Sequence, residues 1–325
     1  MTQKRAPSPR YRTDDATPVV QPTADDLRYL WHVYCNRIID SHSIAATHPE
    51  RPKLNITRRL NKLRKGSEPF LHRIPYISDR VRNQPGSEPM VYALANRGAQ
   101  VLDKHRRDVS IPHHRWAARN DALKATTIEH ELATSRIMGR LAGGASLAGA
   151  DVRLLYQEEF EQKIRDKRRK VRGIKNTLHA TIENWHGYRG QQGTAPDRIF
   201  AVDADGQRRY VFLEIDQETE TIVPEKLNGP NFWKNSSLLR KFVIYHDAFE
   251  QKAHRDQFGF DVFQILTMTT TPSHAKTMRE AIATHIPTAR DGLFLFGDWE
   301  TFNRWEGNPL AFPWLTVKGR EKPFI

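Results

Sequence analysis

Between residues 196 and 216 the chain reads Pro196-Asp197-Arg-Ile-Phe-Ala-Val, reaches Asp205-Gly206, and returns through Arg209-Tyr-Val-Phe-Leu-Glu214-Ile-Asp216. Two runs rich in β-branched and aromatic residues, separated by an Asp-Gly dipeptide, predict a β-hairpin. That hairpin places Asp197 at the opening of its first strand. Glu214 and Asp216, two residues apart, project from one face near the end of the second strand. Asp203 and Asp205 read as turn residues. Three carboxylates brought together are costly unless a cation neutralises them, and as hard oxygen ligands they suit Mg²⁺ or Mn²⁺. A plainer reading stays open beside this one: acids at a strand end are often solvent-exposed or ion-paired.

Downstream, Leu238-Leu-Arg-Lys241-Phe-Val-Ile-Tyr245 predicts a helix on which Lys241 and Tyr245 share a face at i, i+4 spacing. Strands are predicted at Phe260–Thr269 and Gly292–Phe296, with a helix over Ser273–His285 between them and a short edge at Trp314–Val317. This alternation points to a mixed sheet with helices packed on it. A lysine on the first of those helices could stabilise charge developing on a phosphate beside a bound cation.

Charge separates the two halves of the chain. The net charge is +13, yet residues 1–175 carry 34 Lys and Arg against 19 Asp and Glu, and residues 176–325 carry 17 against 19. A basic first half implies a polyanionic partner, most simply DNA. Residues 1–20 are Pro-rich and polar and read as a disordered tail. Thr23 caps a helix with Asp25 and Asp26 in its first turn and an apolar stripe of Leu27, Leu30, Trp31 and Tyr34. A second helix is expected over Ile38–Ala46. The third, Leu54 to Gly66, turns Leu54, Thr57, Leu60, Leu63 and Ile56 toward a core and leaves Lys53, Arg58, Arg59, Lys62, Arg64 and Lys65 for solvent or DNA. Apolar runs at Phe70–Tyr76 and Met90–Leu94 then predict a hairpin whose tip carries Arg80 and Arg82, and a further helix follows Arg97-Gly98. Three helices and a hairpin follow the order of a winged helix-turn-helix, with the third helix in the major groove and the wing on the backbone. A small helical bundle with a solvated charged face is the alternative.

A helix is predicted from about Thr126 to Leu141, and the small residues Ala142–Gly149 read as a flexible boundary. The run from Lys163 to Lys175 is dense in Lys and Arg and reads equally as a phosphate-contacting segment or a solvated one. Cys35, the single cysteine, excludes an intramolecular disulfide and reads as a small buried hydrophobe. No stretch approaches the ~20 apolar residues of a membrane span, and the N-terminus lacks the apolar region of a secretory signal. A cytoplasmic location, with no membrane partner, is the expectation.

Several motifs together resemble the replication-relaxation family of plasmid and mobile-element proteins, from about residue 24 to 317. Tyr92-Ala-Leu94-Ala-Asn-Arg-Gly98-Ala-Gln-Val-Leu102 is similar to the family's end-of-wing pattern, and Ile128-Glu-His130-Glu-Leu132 to its following histidine-containing helix. Pro196-Asp197, Leu213-Glu214-Ile-Asp216, and Lys241 with Tyr245 resemble its Pro-Asp, Glu-x-Asp and Lys-x-x-x-Tyr elements. The resemblance implies an α+β chain: a winged helix-turn-helix at 21–105, a helical basic linker at 106–175, and an α/β PD-(D/E)XK nuclease-like domain with a mixed sheet at 176–325. It implies catalytic roles for Asp197, Glu214, Asp216 and Lys241, with Asp197 and Glu214 as ligands of Mg²⁺ or Mn²⁺. Asp216 stands where many nucleases of this fold place lysine. Lys241 is the first candidate for a migrated lysine and Lys226 the second, while Leu227–Ser237 looks like an insertion. Double-stranded DNA is the implied partner, with replication or relaxosome proteins besides, and a homodimer would suit a palindromic site. Two functions follow: a metal-dependent DNA nickase, or a non-catalytic DNA-binding accessory factor or transcription regulator on an inactive nuclease scaffold.

Overall fold

The computed structural model describes residues 20–76, 89–109, 111–112, 116, 120, 123–160, 177–228 and 230–325. It is an α+β structure with a mixed sheet. The chain divides into two compact units, one of residues 1–45 and 50–135, the other of 46–49 and 136–325. The tail, the hairpin tip with Arg80 and Arg82, His113 and His114, and the basic run 163–175 lie outside the described residues.

In the first unit, α1 (Ala24–Asn36) begins as expected at Thr23, in a capping box. The Asp26 backbone N–H donates to Thr23 Oγ1, and the Asp26 carboxylate accepts from the Thr23 backbone N–H at 2.7 Å. Cys35 is buried in this helix. Arg37 takes a left-handed φ of 60° and ends it. The expected second helix is shorter than its apolar pattern suggested. Ile38–Asp40 forms strand β1, because two β-branched residues fill a sheet position better than another helical turn. Asp40 Oδ1 then accepts from the Ser43 N–H at 2.7 Å and opens α2 (Ser41–Ala46).

Helix α3 (Lys53–Leu63) buries Ile56, Leu60 and Leu63. Leu54, read from sequence as a core residue, is 58% exposed; it precedes Ile56 by two positions, about 200° around the helix axis, and so faces away from the core. Strands β2 (Leu71–Ile74) and β3 (Val91–Leu94) pair antiparallel, and β1 adds to the other side of β3, giving the order β1-β3-β2. Helix α4 (Asn96–His105) follows. Ile38, Ile74, Val91 and Ala93 pack with Ile128 and Leu132 in one apolar cluster.

The helix predicted to stop near Leu141 continues: α5 spans Ala125–Ala148. Gly143 and Gly144 are therefore helical rather than a flexible joint. A Cβ on Gly143 would lie 2.0 Å from the Ala46 carbonyl oxygen, and one on Gly144 2.5 Å from Asn308 Oδ1. Both glycines serve close approach.

The second unit is built on a six-stranded sheet. From one edge run β4 (Arg153–Tyr156), β7 (Arg198–Ala204), β8 (Gln207–Ile215), β9 (Phe263–Thr269), β10 (Phe294–Asp298) and β11 (Leu315–Thr316). β7 runs antiparallel to both of its neighbours, β4 and β8; β8, β9 and β10 are parallel; β11 returns antiparallel. The parallel connections carry α7 (Leu238–Glu250) with the short α8 (Ala253–Phe258), and α9 (Pro272–His285), as βαβ crossovers require. Phe212, Phe242, Tyr245, Phe263 and Phe294 anchor the core beneath them. A separate hairpin, β5 (Leu178–Trp185) with β6 (Tyr188–Thr194), was not read from sequence.

The 196–216 hairpin forms as its pattern required. Its turn places Asp205 at φ 53° and Gly206 at φ 70°, the paired positive φ of a type I′ turn. From Ala204↔Gln207 the register runs unbroken to Arg198↔Leu213, which brings Asp197 beside Glu214. Asp203, taken as a turn residue, lies inside β7 and forms a bidentate pair with Arg208 across the hairpin at 2.6 and 2.7 Å.

Candidate functional site

Asp197 opens β7. Its backbone N–H donates to the Leu213 carbonyl at 2.9 Å, and its Oδ2 accepts from the Ile215 N–H at 2.7 Å. The side chain is thus clamped against the end of β8, where Glu214 points inward at 2% exposure. Ser237 caps α7 and sets its rotation, so that Lys241 and Tyr245, one turn apart, both reach Glu214. Lys241 Nζ donates to Glu214 Oε2 at 3.1 Å, and the Tyr245 hydroxyl donates to Oε1 in a short hydrogen bond. Lys241 Nζ also lies 3.1 Å from Glu220 Oε2. The expected i, i+4 face is therefore the face that meets the acid.

Burial pushes the Glu214 carboxyl up to about 7; Lys241 opposes this, and neighbouring Asp197 adds to it. Burial works against the charge on Lys241, yet Glu214, Glu220 and Asp197 together hold its pKa above the ordinary lysine value. Burial, then the adjacent Glu214, raises the Tyr245 phenol well above its usual range. Burial thus favours the protonated form of Glu214 and of Tyr245, while the surrounding acids favour the charged form of Lys241.

Asp216, grouped with Glu214 in the sequence reading, faces other partners. It is 3% exposed; its Oδ2 accepts from Thr269 Oγ1 at 2.9 Å and lies 2.9 Å from His274 Nε2, and its Oδ1 accepts from the Glu218 N–H at 3.1 Å. Lys226 is exposed, and Lys241 is the lysine brought to the acid. The segment taken for an insertion is packed: α6 (Pro230–Lys234) stacks Phe232 on Trp185 and Trp233 on Tyr188. Glu220 and His274 were not singled out from sequence. Glu220 sits in an irregular stretch that carries no periodic signal. His274 was within reach, because Thr271-Pro272 marks a helix start and places it in the first turn.

Two adjacent carboxylates fit a hard divalent cation, which takes one or two of them together with waters and substrate phosphates. They do not form a cage: among the described residues no three His, Cys, Asp or Glu side chains are grouped to hold a metal ion.

On α3, Lys53, Arg58 and Lys62 are exposed, and just past its end Arg64 and Lys65 are half-buried. Arg64 Nε donates to Asn61 Oδ1 at 2.9 Å. Arg59 is engaged differently: Nε and one terminal nitrogen donate to the two Asp26 oxygens at 2.7 and 2.5 Å, and that terminal nitrogen also reaches the Gln21 carbonyl. Its guanidinium fastens α3 to α1, so the open cationic face consists of its neighbours.

No helix among the described residues is long and apolar enough to cross a membrane. A family model described as replication-relaxation matches residues 30–261. No curated protein and no solved structure matches the chain.

Proposed function

The chain belongs to the replication-relaxation family, and on that footing we propose that it is a DNA-binding protein of plasmid or mobile-element replication or mobilisation. The first unit acts as a winged helix-turn-helix. In support, α1, α2 and α3 precede an antiparallel β2–β3 hairpin completed by β1, and α3 presents Lys53, Arg58 and Lys62 away from its buried face. Arg80 and Arg82 belong to the wing of this reading. The second unit acts as a PD-(D/E)XK-type domain. Antiparallel β4, β7 and β8 followed by α7 and parallel β9 support it, and Asp197 and Glu214 sit at the ends of β7 and β8 where metal-binding acids belong.

One observation carries the catalytic side of the proposal: Lys241 and Tyr245 converge on Glu214 beside Asp197. Lys241 supplies the positive charge that Asp216 cannot, and would stabilise charge building on a phosphate oxygen. Glu214 holds or releases a proton near neutral pH at the oxygen that Tyr245 steadies. Mg²⁺ or Mn²⁺, held by Asp197 and Glu214, would polarise the scissile phosphate and lower the pKa of a bound water. A second reading has its own support. Both Glu214 oxygens are engaged by protein donors, as suits a scaffold acid in a non-catalytic DNA-binding factor.

Supercoiled plasmid carrying the protein's own gene neighbourhood, incubated with Mg²⁺, Mn²⁺ or EDTA, separates them. Metal-dependent open circles that vanish with Glu214→Ala identify a nickase. A gel shift without cleavage identifies the accessory factor.

A further inference from the structure

Lys241 stands where a bound cation would have to work. Its ammonium lies 3.1 Å from Glu214 Oε2 and 3.1 Å from Glu220 Oε2, with Asp197 adjoining Glu214 through the β7–β8 register. The first of these acids is closed to solvent at 2% exposure, whereas Glu220 is 28% exposed and is also fixed by the Ser236 hydroxyl at 2.8 Å. One partner of the ammonium therefore belongs to the acid pair and the other lies outside it. An ammonium and a divalent ion cannot share one carboxylate oxygen without strong repulsion, because little water separates them there.

We propose that Lys241 is the resident counter-ion of Glu214 and competes with a divalent cation for it, with Glu220 as the partner that retains the ammonium when the cation enters. Glu220 is then a positioning residue: it lets Lys241 leave Glu214 without becoming an unpaired buried charge. The proposal rests on the reading of Asp197 and Glu214 as cation-binding acids, and it concerns occupancy, not cleavage.

The test is calorimetric titration of Mn²⁺ into the full-length, DNA-free protein at neutral pH. Lys241→Gln should bind Mn²⁺ at least about tenfold more tightly than wild type, since a unit charge within hydrogen-bond reach of the ligands is gone. The double variant Lys241→Gln/Glu214→Gln should lose that gain. Glu220→Gln should bind Mn²⁺ more weakly than wild type, because the displaced ammonium has lost its second partner. Unchanged or weaker affinity in Lys241→Gln overturns the proposal. If Lys241→Gln does not fold, the half-buried Glu220→Gln decides alone, and unchanged affinity there overturns it. Nicking assays on the same samples keep the two readings apart. Gain of Mn²⁺ affinity without nicking by any sample leaves the competition standing and removes the nuclease. Nicking by wild type with no gain in Lys241→Gln does the reverse.

Discussion

Replacing Arg59 should damage the fold before it damages DNA binding. Its guanidinium holds both oxygens of Asp26, at 2.7 and 2.5 Å, and the Asp26 side chain is fully buried. Asp26 has a second duty in the capping box of α1, so it cannot swing out to water when Arg59 is lost. Removing one partner of a buried ion pair costs about 3–5 kcal/mol, because the other charge is left unpaired. The Arg59 side chain is 28% exposed, so some solvent reaches the gap, and Arg59→Met should lose about 2–4 kcal/mol. Urea unfolding followed by circular dichroism measures this. Asp26→Asn/Arg59→Met should recover part of the loss, since neither charge then remains. Arg58, one residue earlier and exposed, gives the contrast. Arg58→Ala should change stability by no more than about 0.5 kcal/mol, while fluorescence anisotropy shows weaker duplex binding and a salt slope shallower by about one. Wild-type stability together with lost DNA affinity in Arg59→Met would refute the assignment, for the guanidinium would then be serving DNA and not Asp26.

Glu214 should make stability fall as pH rises. Its carboxyl is held at about 7 in the fold against an ordinary 4.5, so the folded state binds more protons between those values. Its contribution is fully present below about pH 4.5 and is lost as pH rises through 7. Unfolding midpoints from pH 4.5 to 8 should show a flatter profile for Glu214→Gln; equal slopes would contradict this. Gly143→Ala should cost about 1–3 kcal/mol, because its Cβ would meet the Ala46 carbonyl oxygen at 2.0 Å and force backbone movement. Exposed Ser146→Ala on the same helix should be neutral or slightly stabilising by thermal melting, since alanine is the better helix former.

What could be read from the sequence was local. The Asp205-Gly206 turn, the α7 face with Lys241 and Tyr245, and the strands and helix from residue 260 onward each declare themselves within about a dozen residues. Partners set by the tertiary fold did not. Arg59 reads as one more cation on a basic helix until α1 is laid beside it, 33 residues away in the chain. Asp216 reads as Glu214's companion until Thr269 and His274 are found on it. Gly143 and Gly144 read as a joint because local propensity registers a missing Cβ, and not the carbonyl pressed against it. Ile38–Asp40 reads as helix because a short apolar run has no period to judge by.

The charge balance around Glu214 also bears on how work is divided along the chain. On the proposed nuclease-like reading, with Asp216 in the place of a lysine, Lys241 faces three acids, Asp197, Glu214 and Glu220. Such a centre repels a phosphate unless something cationic enters it, and residues 176–325 as a whole are close to neutral with a slight excess of acids. Residues 176–325 therefore have little with which to attract DNA. On the proposed reading residues 1–175 carry the attraction, with 34 basic residues against 19 acidic. Affinity and its salt dependence should accordingly follow Lys53, Arg58 and Lys62, whereas substitutions at Asp197, Glu214 or Lys241 should leave DNA affinity in EDTA nearly unchanged. Added Mn²⁺ is then the condition under which the acids begin to matter for DNA. A loss of EDTA binding with Glu214→Gln, in a folded protein, would overturn this division.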